Sequence, residues 1–310
     1  MAVRPRSPVP TAPATLPTLH LAHDHTSQDV ARRLRGGAWR RVGRGAYLAT
    51  EVEATARRTA LAHIVAVHSR LTAPHVFSHD SAALLWGLPL WTVPDVVHVY
   101  QRHRPGARRD PTTRRHLGAP AVAAVTLTGG LPATTLALTA VDCARAMTPR
   151  AALVVVDAAL RAGAPRAEML RLLALDPTGR GSARARAVVL LGDAGAESPQ
   201  ESALRFLLLR AGMPQPETQV RIDTPVGTFW ADLGWERWRV VLEYDGRPKY
   251  ADPDALIREK RRHDALVEAG WRVIRVTKED LARPAQLVAR VERLLPQDAP
   301  HIRRPHMRTM

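Results

Sequence analysis

The sequence predicts an α/β protein in two parts, a mostly helical N-terminal region and a C-terminal domain with the element order helix, three strands, helix, strand. Three observations predict this arrangement. The chain has 310 residues, more than the roughly 100–200 of one typical domain. Apolar residues recur with helical or strand period along both parts. Residues 193–199 between them are rich in turn-forming residues, so we expect the domain boundary there.

The composition excludes several protein classes. The single cysteine, Cys143, can form neither an internal disulfide nor a cysteine-based zinc module, and it is predicted to be a small buried residue. Since no run of about 18 uncharged apolar residues occurs, no membrane span is expected. Residues 1–20 contain five prolines and no continuous apolar segment, which differs from a signal peptide. We expect a disordered tail there and a cytoplasmic protein.

The charge points to a polyanionic partner. The formal net charge is +16 and the pI about 11.3, and clustered cations gain affinity for nucleic acid by releasing counterions from phosphates. DNA is therefore the expected partner. The alternative is that arginine accumulated on solvated faces, because the chain is rich in Ala and Arg, as translated GC-rich DNA is. Lysine occurs only at Lys249, Lys260 and Lys278, and a titratable ammonium differs chemically from the guanidinium that prevails elsewhere.

Residues 21–50 predict a winged-helix-like module. Thr26 and Asp29 are typical of a helix start, and apolar residues follow at helical spacing until Gly36. Residues 39–48 then alternate apolar and polar around a glycine turn, as in a small hairpin. A helix followed by a basic hairpin favours DNA contacts by Arg40, Arg41 and Arg44, although an arginine-rich hairpin is also compatible with a solvated wing.

The region 51–192 is predicted to be mostly helical. Apolar spacing predicts helices at residues 52–70 and 81–86, and helical patterns dominate from 136 to 173. One strand is expected over residues 96–100, followed by a basic loop over 102–115. The thirteen histidines of the chain show no zinc-type spacing, and we expect four of them to be scattered surface or core residues, namely His63, His68, His75 and His79.

The C-terminal domain, residues 197–297, has the clearest element pattern. A helix is predicted from Pro199 to Ala211, where Gly212 and Pro214 end it. The remaining elements are predicted as strands at 217–222, 228–233, 238–244 and 271–276 and helices at 254–269 and 284–295. The last strand follows the helix at 254–269. Residues 298–310 are expected to form a basic tail.

Acidic residues converge at one end of the predicted sheet. The two-residue period of a strand puts Glu243 and Asp245 on one face. Adjacent anions are costly unless a cation, a proton or a basic partner lies between them, so the pair suggests a hard divalent metal with oxygen ligands. Asp232 closes the preceding strand and Glu201 lies on the first helix. We expect Asp232, Glu243 and Asp245 to bind Mg²⁺, for which Mn²⁺ could substitute.

These residues resemble the PD-(D/E)XK nucleases, and within them a subgroup similar to the very-short-patch-repair endonucleases. The resemblance covers most of residues 197–297. The matching positions are Glu201-Ser202, Gln219, Asp232, Glu243-Tyr244-Asp245-Gly246, Lys249, Glu259-Lys260-Arg261-Arg262 and Gly270-Trp271. It implies a restriction-endonuclease-like αβββαβ core and metal-dependent hydrolysis of DNA phosphodiester bonds, with Lys249 beside the phosphate and Glu201 in support.

The match departs from the usual motif at the lysine. The orthodox spacing places a lysine two residues after the second acidic ligand, where this chain has Asp245, and the first lysine is Lys249. Structural alternatives stay open for the other residues. Glu201 also suits the first turn of a helix through the helix dipole, and Gln219 is as consistent with a structural role. Arg258, Arg261 and Arg262 are expected to contact the DNA backbone, or else to form a solvated helix face.

Residues 20–165 resemble, less specifically, AbiEi-like antitoxins, which are regulators of type IV toxin-antitoxin systems. The resemblance depends on Ser27-Gln28-Asp29, on the hairpin Trp39 to Tyr47 and on Val141-Asp142-Cys143-Ala144-Arg145. It implies an alternative function, a non-catalytic DNA-binding regulator or antitoxin whose partner is a cognate toxin or a second copy of the chain. Action on RNA would use the same acidic residues and stays open.

Overall fold

The computed structural model describes residues 12–51, 53–102, 110–118, 120–245 and 253–307, without the side chains of 253–257. Within these ranges the protein is mixed α/β, with eleven α-helices and three β-sheets. No helix in the described ranges is long and apolar enough to cross a membrane.

The N-terminal unit combines one helix with a three-stranded sheet. Its elements are β1 (His20–Leu21), α1 (Ser27–Arg35), β2 (Trp39–Gly43) and β3 (Ala46–Ala49), in the sheet order β1-β3-β2. The Thr26 side chain accepts a hydrogen bond from the Asp29 amide and so caps α1. Gly45, at φ +70°, supplies the left-handed turn of the hairpin. The predicted helix and hairpin are present, and the winged-helix assignment stays a prediction.

A five-stranded sheet lies in the region predicted to be mostly helical. After α2 (Ala56–Arg70) come β4 (Val76–Phe77), α3 (His79–Leu85), β5 (Val97–Gln101), β6 (Thr113–Leu117), β7 (Val125–Thr128) and β8 (Leu131–Thr134). The sheet order is β6-β5-β4-β8-β7. These strands have two to five residues, too few for a clear period-two pattern, and β6 reads Thr-Arg-Arg-His-Leu. The strand predicted at 96–100 is confirmed as β5. Pairing with other strands decided the conformation of the rest, and part of the predicted basic loop is β6.

Four helices follow and form the central core. They are α4 (Leu136–Ala146), α5 (Pro149–Arg161), α6 (Arg166–Ala174) and α7 (Ser182–Leu191). Cys143 on α4 is fully buried, as predicted. Apolar side chains of α4, α5 and α7 belong to the same cluster as those of the C-terminal domain. The two predicted parts therefore share one continuous core across residues 193–199.

The C-terminal domain has the predicted element order. It comprises α8 (Pro199–Arg210), β9 (Glu217–Thr224), β10 (Gly227–Trp235), β11 (Val240–Tyr244), α9 (Pro253–Glu268) and β12 (Arg272–Val276), followed by α10 (Lys278–Leu281) and α11 (Pro284–Glu292). The sheet order is β12-β11-β10-β9. β10 is antiparallel to β9 and β11, whereas β11 and β12 are parallel. The parallel pair requires a crossover, which α9 supplies.

The described parts of both chain ends pack on the protein. Residues 12–20 fall in the predicted disordered tail, but the Ala14 amide donates to the Leu85 carbonyl oxygen at 2.9 Å, and Leu16 packs against the apolar cluster of α2, α3 and β5. At the other end Ile302 donates its amide to the Gly212 carbonyl oxygen at 2.7 Å, and Met307 is fully buried. Burial of these apolar side chains offsets the entropy lost on ordering the segments.

Candidate active site

Asp232 and Glu243 lie on paired strands. The register joins Leu233 of β10 to Leu242 of β11, so the two acids occupy neighbouring positions across the antiparallel pair. The Tyr244 amide donates a hydrogen bond to Asp232 Oδ2 at 2.7 Å, which holds the Asp232 side chain towards β11. The structure therefore brings these two predicted site residues together through the register of the sheet.

Glu201 reaches the same region from the first turn of α8. Ser198 caps this helix, accepting a hydrogen bond on Oγ from the Glu201 amide at 3.1 Å. The Glu201 side chain is buried, and its Oε2 accepts a hydrogen bond from the Glu197 amide at 2.7 Å. Burial, with a further contribution from the nearby charge of Asp232, raises the pKa of Glu201 to about 7. This carboxyl group is thus poised to bind a proton or a cation near neutral pH.

Asp232 has a similarly raised pKa. Burial is the largest cause, and the negative charges of Glu243 and Glu197 add to it, while the Tyr244 amide and Arg262 act in the opposite direction. Two arginines lie at this cluster, Arg262 beside Glu243 and Arg161 with its Nη2 4.0 Å from Glu197 Oε1, and the pKa of Asp232 is raised in their presence. Glu197 was not among the predicted site residues. Its position directly before the Ser198-Pro199 helix start is the sequence feature that could have placed it near Glu201.

Glu243 forms an ion pair with Arg262 of α9. Arg262 Nη1 donates to Glu243 Oε2 at 3.0 Å, and Nη2 donates to Oε1 of the same carboxylate. Nη2 also donates to the Trp230 carbonyl oxygen at 3.3 Å. A predicted metal ligand and a predicted DNA-contacting cation are thus bound to each other. Arg262 is engaged within the protein, whereas Arg258 and Arg261 are exposed on α9. The DNA-backbone contacts expected of all three stay predictions.

Asp245 lies at the solvent-exposed end of β11. Its amide donates to the Val276 carbonyl oxygen at 2.9 Å, which extends the pairing with β12 by one residue. Asp245 follows the last residue of β11 and is exposed, whereas Glu243 is buried. The shared face of the two side chains stays a prediction. Lys249 and Gly246 of the predicted motif lie outside the described residues.

The predicted set of Asp232, Glu243 and Asp245 is not preassembled as a metal site. Among the described residues, three side chains whose ligand atoms all lie within 4.8 Å of one another occur only at a histidine cluster elsewhere. The physical reason is that Glu243 turns to Arg262 while Asp245 faces solvent. The oxygen donors of Glu201 and Asp232, with their raised pKa values, nevertheless suit a hard divalent cation.

Gln219 has a strained backbone beside Asp232. Its neighbours Thr218 and Val220 pair with Leu233 and Ala231, so Gln219 lies opposite Asp232 on β9. Its φ of +52° is in the left-handed region, which a residue other than glycine rarely adopts within a strand. Such outliers cluster at functional sites, where the surrounding structure holds them. The structure thus places Gln219 at the acidic cluster, which the sequence left open.

No model of a known protein family matches the chain. It is 31% identical over 273 residues to "Uncharacterized protein Rv2248" from Mycobacterium tuberculosis strain H37Rv, covering 87% of this chain and 97% of that protein. "Uncharacterized protein MT2308" from strain CDC 1551 matches to the same extent. The chain belongs to their family. This Rv2248 family therefore spans both the N-terminal region and the C-terminal domain within one chain.

A solved structure also resembles this member of the Rv2248 family in part. The crystal structure of RV2827C protein from Mycobacterium tuberculosis aligns with a TM-score of 0.37 and 17% identity, over 67% of this chain and 84% of that one.

The hairpin arginines of this Rv2248-family protein differ in exposure. Arg41 and Arg44 are exposed and available to a ligand, as predicted residues of a nucleic-acid surface must be. Arg40 is half-buried, and its Nε and Nη2 atoms are inaccessible to solvent. Its charge contributes to lowering the pKa of His63, for which burial is the main cause. Arg40 is therefore less accessible than Arg41 and Arg44, and its predicted contact with DNA stays a prediction.

Proposed function

We propose that this Rv2248-family protein is a metal-dependent nuclease that hydrolyses phosphodiester bonds in DNA. The observation that carries the proposal is the acidic cluster between the start of α8 and the strand β10, where Glu201 is buried, Asp232 is half-buried, and both have raised pKa values. Buried negative charge without a matching cation is unfavourable, and enzymes maintain it where a metal or a proton is used.

Glu201, Asp232 and Glu243 are the residues that would hold the cation, which we propose to be Mg²⁺ or Mn²⁺. A metal bound there would polarise the scissile phosphate and lower the pKa of the attacking water. The Tyr244 amide orients Asp232. Glu243 would help to hold the cation only where its pairing with Arg262 is broken, and the guanidinium of Arg262 would then be available to a phosphate oxygen of the substrate.

The positive charges of the chain support a DNA substrate. Arg258 and Arg261 are exposed on α9, the helix that also carries Arg262. Arg41 and Arg44 are exposed on the N-terminal hairpin. Guanidinium groups bind phosphate oxygens in a fixed fork geometry, so both surfaces suit a nucleic-acid backbone. We place Lys249 beside the scissile phosphate on the motif resemblance alone. Asp245 lies at the open edge of this site as a further ligand that solvent can reach.

A second candidate is the non-catalytic DNA-binding regulator or antitoxin. The observation that favours it is the Arg262–Glu243 ion pair, since it neutralises a required metal ligand. A domain that only binds DNA gains nothing from metal ligation, and an internal ion pair would then be a structural replacement for the cation. This candidate predicts DNA binding that persists in EDTA, with a cognate toxin or a second copy of the chain as partner.

The deciding experiment incubates the purified full chain with supercoiled and linear DNA in Mg²⁺, Mn²⁺ or EDTA. Asp232→Asn and Glu201→Gln test the acidic cluster, and Lys249→Met tests the displaced lysine. Asp223→Asn is the matched control, because Asp223 lies on β9 of the same sheet but bonds to Arg221 at the surface. A single-stranded RNA substrate in parallel separates DNA from RNA specificity.

Cleavage that requires the metal, is lost in Asp232→Asn and Glu201→Gln and survives in Asp223→Asn supports the nuclease. DNA that stays intact at high protein concentration with either metal, together with a gel shift retained in EDTA, overturns the nuclease and supports the regulator.

A further inference from the structure

A second cluster of ionisable side chains lies in the five-stranded sheet, far along the chain from the acidic site. His98 is on β5, His116 on β6 and His79 at the start of α3, and ligand nitrogens of all three lie within 4.8 Å of one another. His79 and His98 are buried, and His116 is half-buried. The proposed nuclease chemistry uses none of these residues.

We propose that His79, His98 and His116 bind a divalent transition-metal ion of the Zn²⁺ type. Neutral imidazole suits Zn²⁺ and its first-row neighbours, and it does not suit Mg²⁺, which prefers oxygen ligands. Three imidazole ligands leave a fourth position for water. The site is therefore chemically distinct from the carboxylates of the C-terminal domain, and the inference does not depend on the proposed nuclease activity.

The spacing of two ring nitrogens supports the assignment. His98 Nδ1 and His116 Nε2 are 3.0 Å apart. Two nitrogens bound tetrahedrally to one zinc ion at about 2.1 Å lie about 3.4 Å apart, so a small outward shift accommodates the ion. Burial is the main cause that lowers the pKa of His79 to about 2 and of His98 to about 4. Burial thus favours the neutral form of both rings, and neutral imidazole is the form that binds a metal.

Each buried histidine has an aspartate behind it. His98 Nε2 faces Asp80 Oδ1 at 3.7 Å, and His79 Nδ1 faces Asp142 Oδ2 at 3.9 Å. In metal sites the ligating histidine usually donates its second ring N–H to a carboxylate, which fixes the tautomer and raises the basicity of the ligand. Neither distance here is a hydrogen bond, and His79 Nδ1 also lies 3.0 Å from Ser78 Oγ, so each ring would move closer to its aspartate to complete that pattern.

Those two carboxylate oxygens are also the ones that lack a partner. Asp80 Oδ1 and Asp142 Oδ2 are inaccessible to solvent and accept no hydrogen bond from any described residue. The other oxygen of Asp142 accepts a hydrogen bond from the Tyr100 hydroxyl at 3.0 Å. A cation bound by the histidines would draw both ring N–H groups towards these carboxylate oxygens. Its positive charge would also compensate the buried negative charge of the two aspartates.

Two features of the cluster must change or be overcome when the ion binds. The His79 and His116 rings are stacked, with centroids 4.0 Å apart and planes 14° apart, so one ion cannot lie in both ring planes. His116 is the more exposed ring, and we infer that it rotates. The positive charge of Arg114 on the same sheet face opposes a cation, and the two aspartates offset it. The backbone of His79 itself lies in the left-handed region, with a φ of +52°, which a residue other than glycine rarely adopts.

The test titrates the EDTA-treated full chain with Co²⁺, whose visible absorption reports nitrogen ligation, and then displaces it with Zn²⁺. We expect one ion per chain and a higher unfolding temperature in Zn²⁺. His116→Gln should weaken Co²⁺ binding at least tenfold, and Asp80→Asn by roughly 10–100-fold. His75→Gln is the matched control, because His75 also forms a histidine pair, with His68 at 3.0 Å, outside the cluster.

X-ray absorption of the Co²⁺ form of the unaltered protein counts the imidazole ligands directly and needs no variant to fold. Three imidazoles support the site. Absence of a Co²⁺ band, ligation by oxygen only, or full affinity in a folded His116→Gln variant would overturn it. Asp232→Asn should leave the Co²⁺ spectrum unchanged, which separates this site from the proposed nuclease site.

Discussion

Arg262 of α9 donates hydrogen bonds through both Nη atoms to the two carboxylate oxygens of Glu243 on β11. The pair is largely buried, with side-chain exposures of 24% and 12%. It joins α9 to β11, the strand that carries the predicted metal ligand Glu243. The guanidinium of Arg262 is therefore bound to the same Glu243 carboxylate that the proposed mechanism assigns to a metal ion.

Removing this arginine should strengthen metal binding. In Arg262→Gln the competing cation is lost, and we expect the apparent affinity for Mg²⁺, measured by calorimetry, to rise about tenfold, equivalent to about 1.4 kcal/mol. Arg221→Gln is the control, because Arg221 pairs with Asp223 at 2.9 Å on the surface of the same domain and has no contact with Glu243 or Arg262 among the described ion pairs. Equal Mg²⁺ affinities in the two variants would contradict competition for Glu243.

A buried ion pair joins the central helices to the C-terminal domain. Arg205 of α8 donates two hydrogen bonds to Asp157 of α5, and their side chains are 0% and 1% exposed. Arg205→Met leaves the Asp157 charge buried without its main partner, so we expect a loss of about 3–5 kcal/mol in the free energy of unfolding, measured in urea. Arg171→Met removes the exposed pair with Glu168 and should cause no measurable change.

The double variant Arg205→Met with Asp157→Leu should recover only part of that loss. Asp157 also accepts hydrogen bonds from the Ser202 hydroxyl and the Asp193 amide, which the leucine would leave without this acceptor. Full recovery in the double variant would show that these two hydrogen bonds contribute nothing.

Glu201 should make the protein less stable as the pH rises. Its pKa is raised from 4.5 to about 7 by burial and by Asp232, so its stabilising contribution is complete below pH 4.5 and is lost as the pH increases through about 7. The shift corresponds to on the order of 3 kcal/mol. His79, whose pKa is lowered, acts in the opposite direction below pH 6.5, so total stability is not diagnostic. Urea unfolding between pH 4 and 8 should show the wild-type stability falling relative to Glu201→Gln. A constant difference would refute the raised pKa.

The exposed hairpin arginines should contribute to DNA affinity through charge. For a complex with B-DNA the logarithm of affinity falls linearly with the logarithm of salt concentration, with a slope of about −0.9 per phosphate neutralised. We expect Arg41→Gln and Arg44→Gln each to reduce the magnitude of this slope by about one. Arg186→Gln on α7, a helix outside the hairpin, is the control for net charge. Equal slopes in all three variants would exclude the hairpin from the DNA interface.

Local sequence signals were sufficient for most elements. Thr26 and Ser198 accept the hydrogen bonds that cap the first turns of α1 and α8. Glycine follows the end of each of these helices, Gly36 after α1 and Gly212 after α8. Alternation along 217–244 predicted β9, β10 and β11, and their order in the chain implied the hairpin that sets Asp232 beside Glu243. The physical basis is short in range: capping, period and turn conformation depend on residues within a few positions of one another.

Contacts between distant residues decided the rest. Apart from β5, which the sequence predicted, the strands of the five-stranded sheet are too short to show a pattern of their own, and strands separated in sequence pair there. The same sheet and α3 gather His79, His98 and His116, whose sequence spacing has no metal-site pattern. In the sequence, Arg262 belongs to the basic segment 258–262, which is equally compatible with a solvent-exposed helix face. Only the packing of α9 on the sheet directs its side chain to Glu243. Sequence periodicity therefore determined which segments are helix or strand, whereas the charge balance of both sites depends on side chains that meet only after the chain has folded.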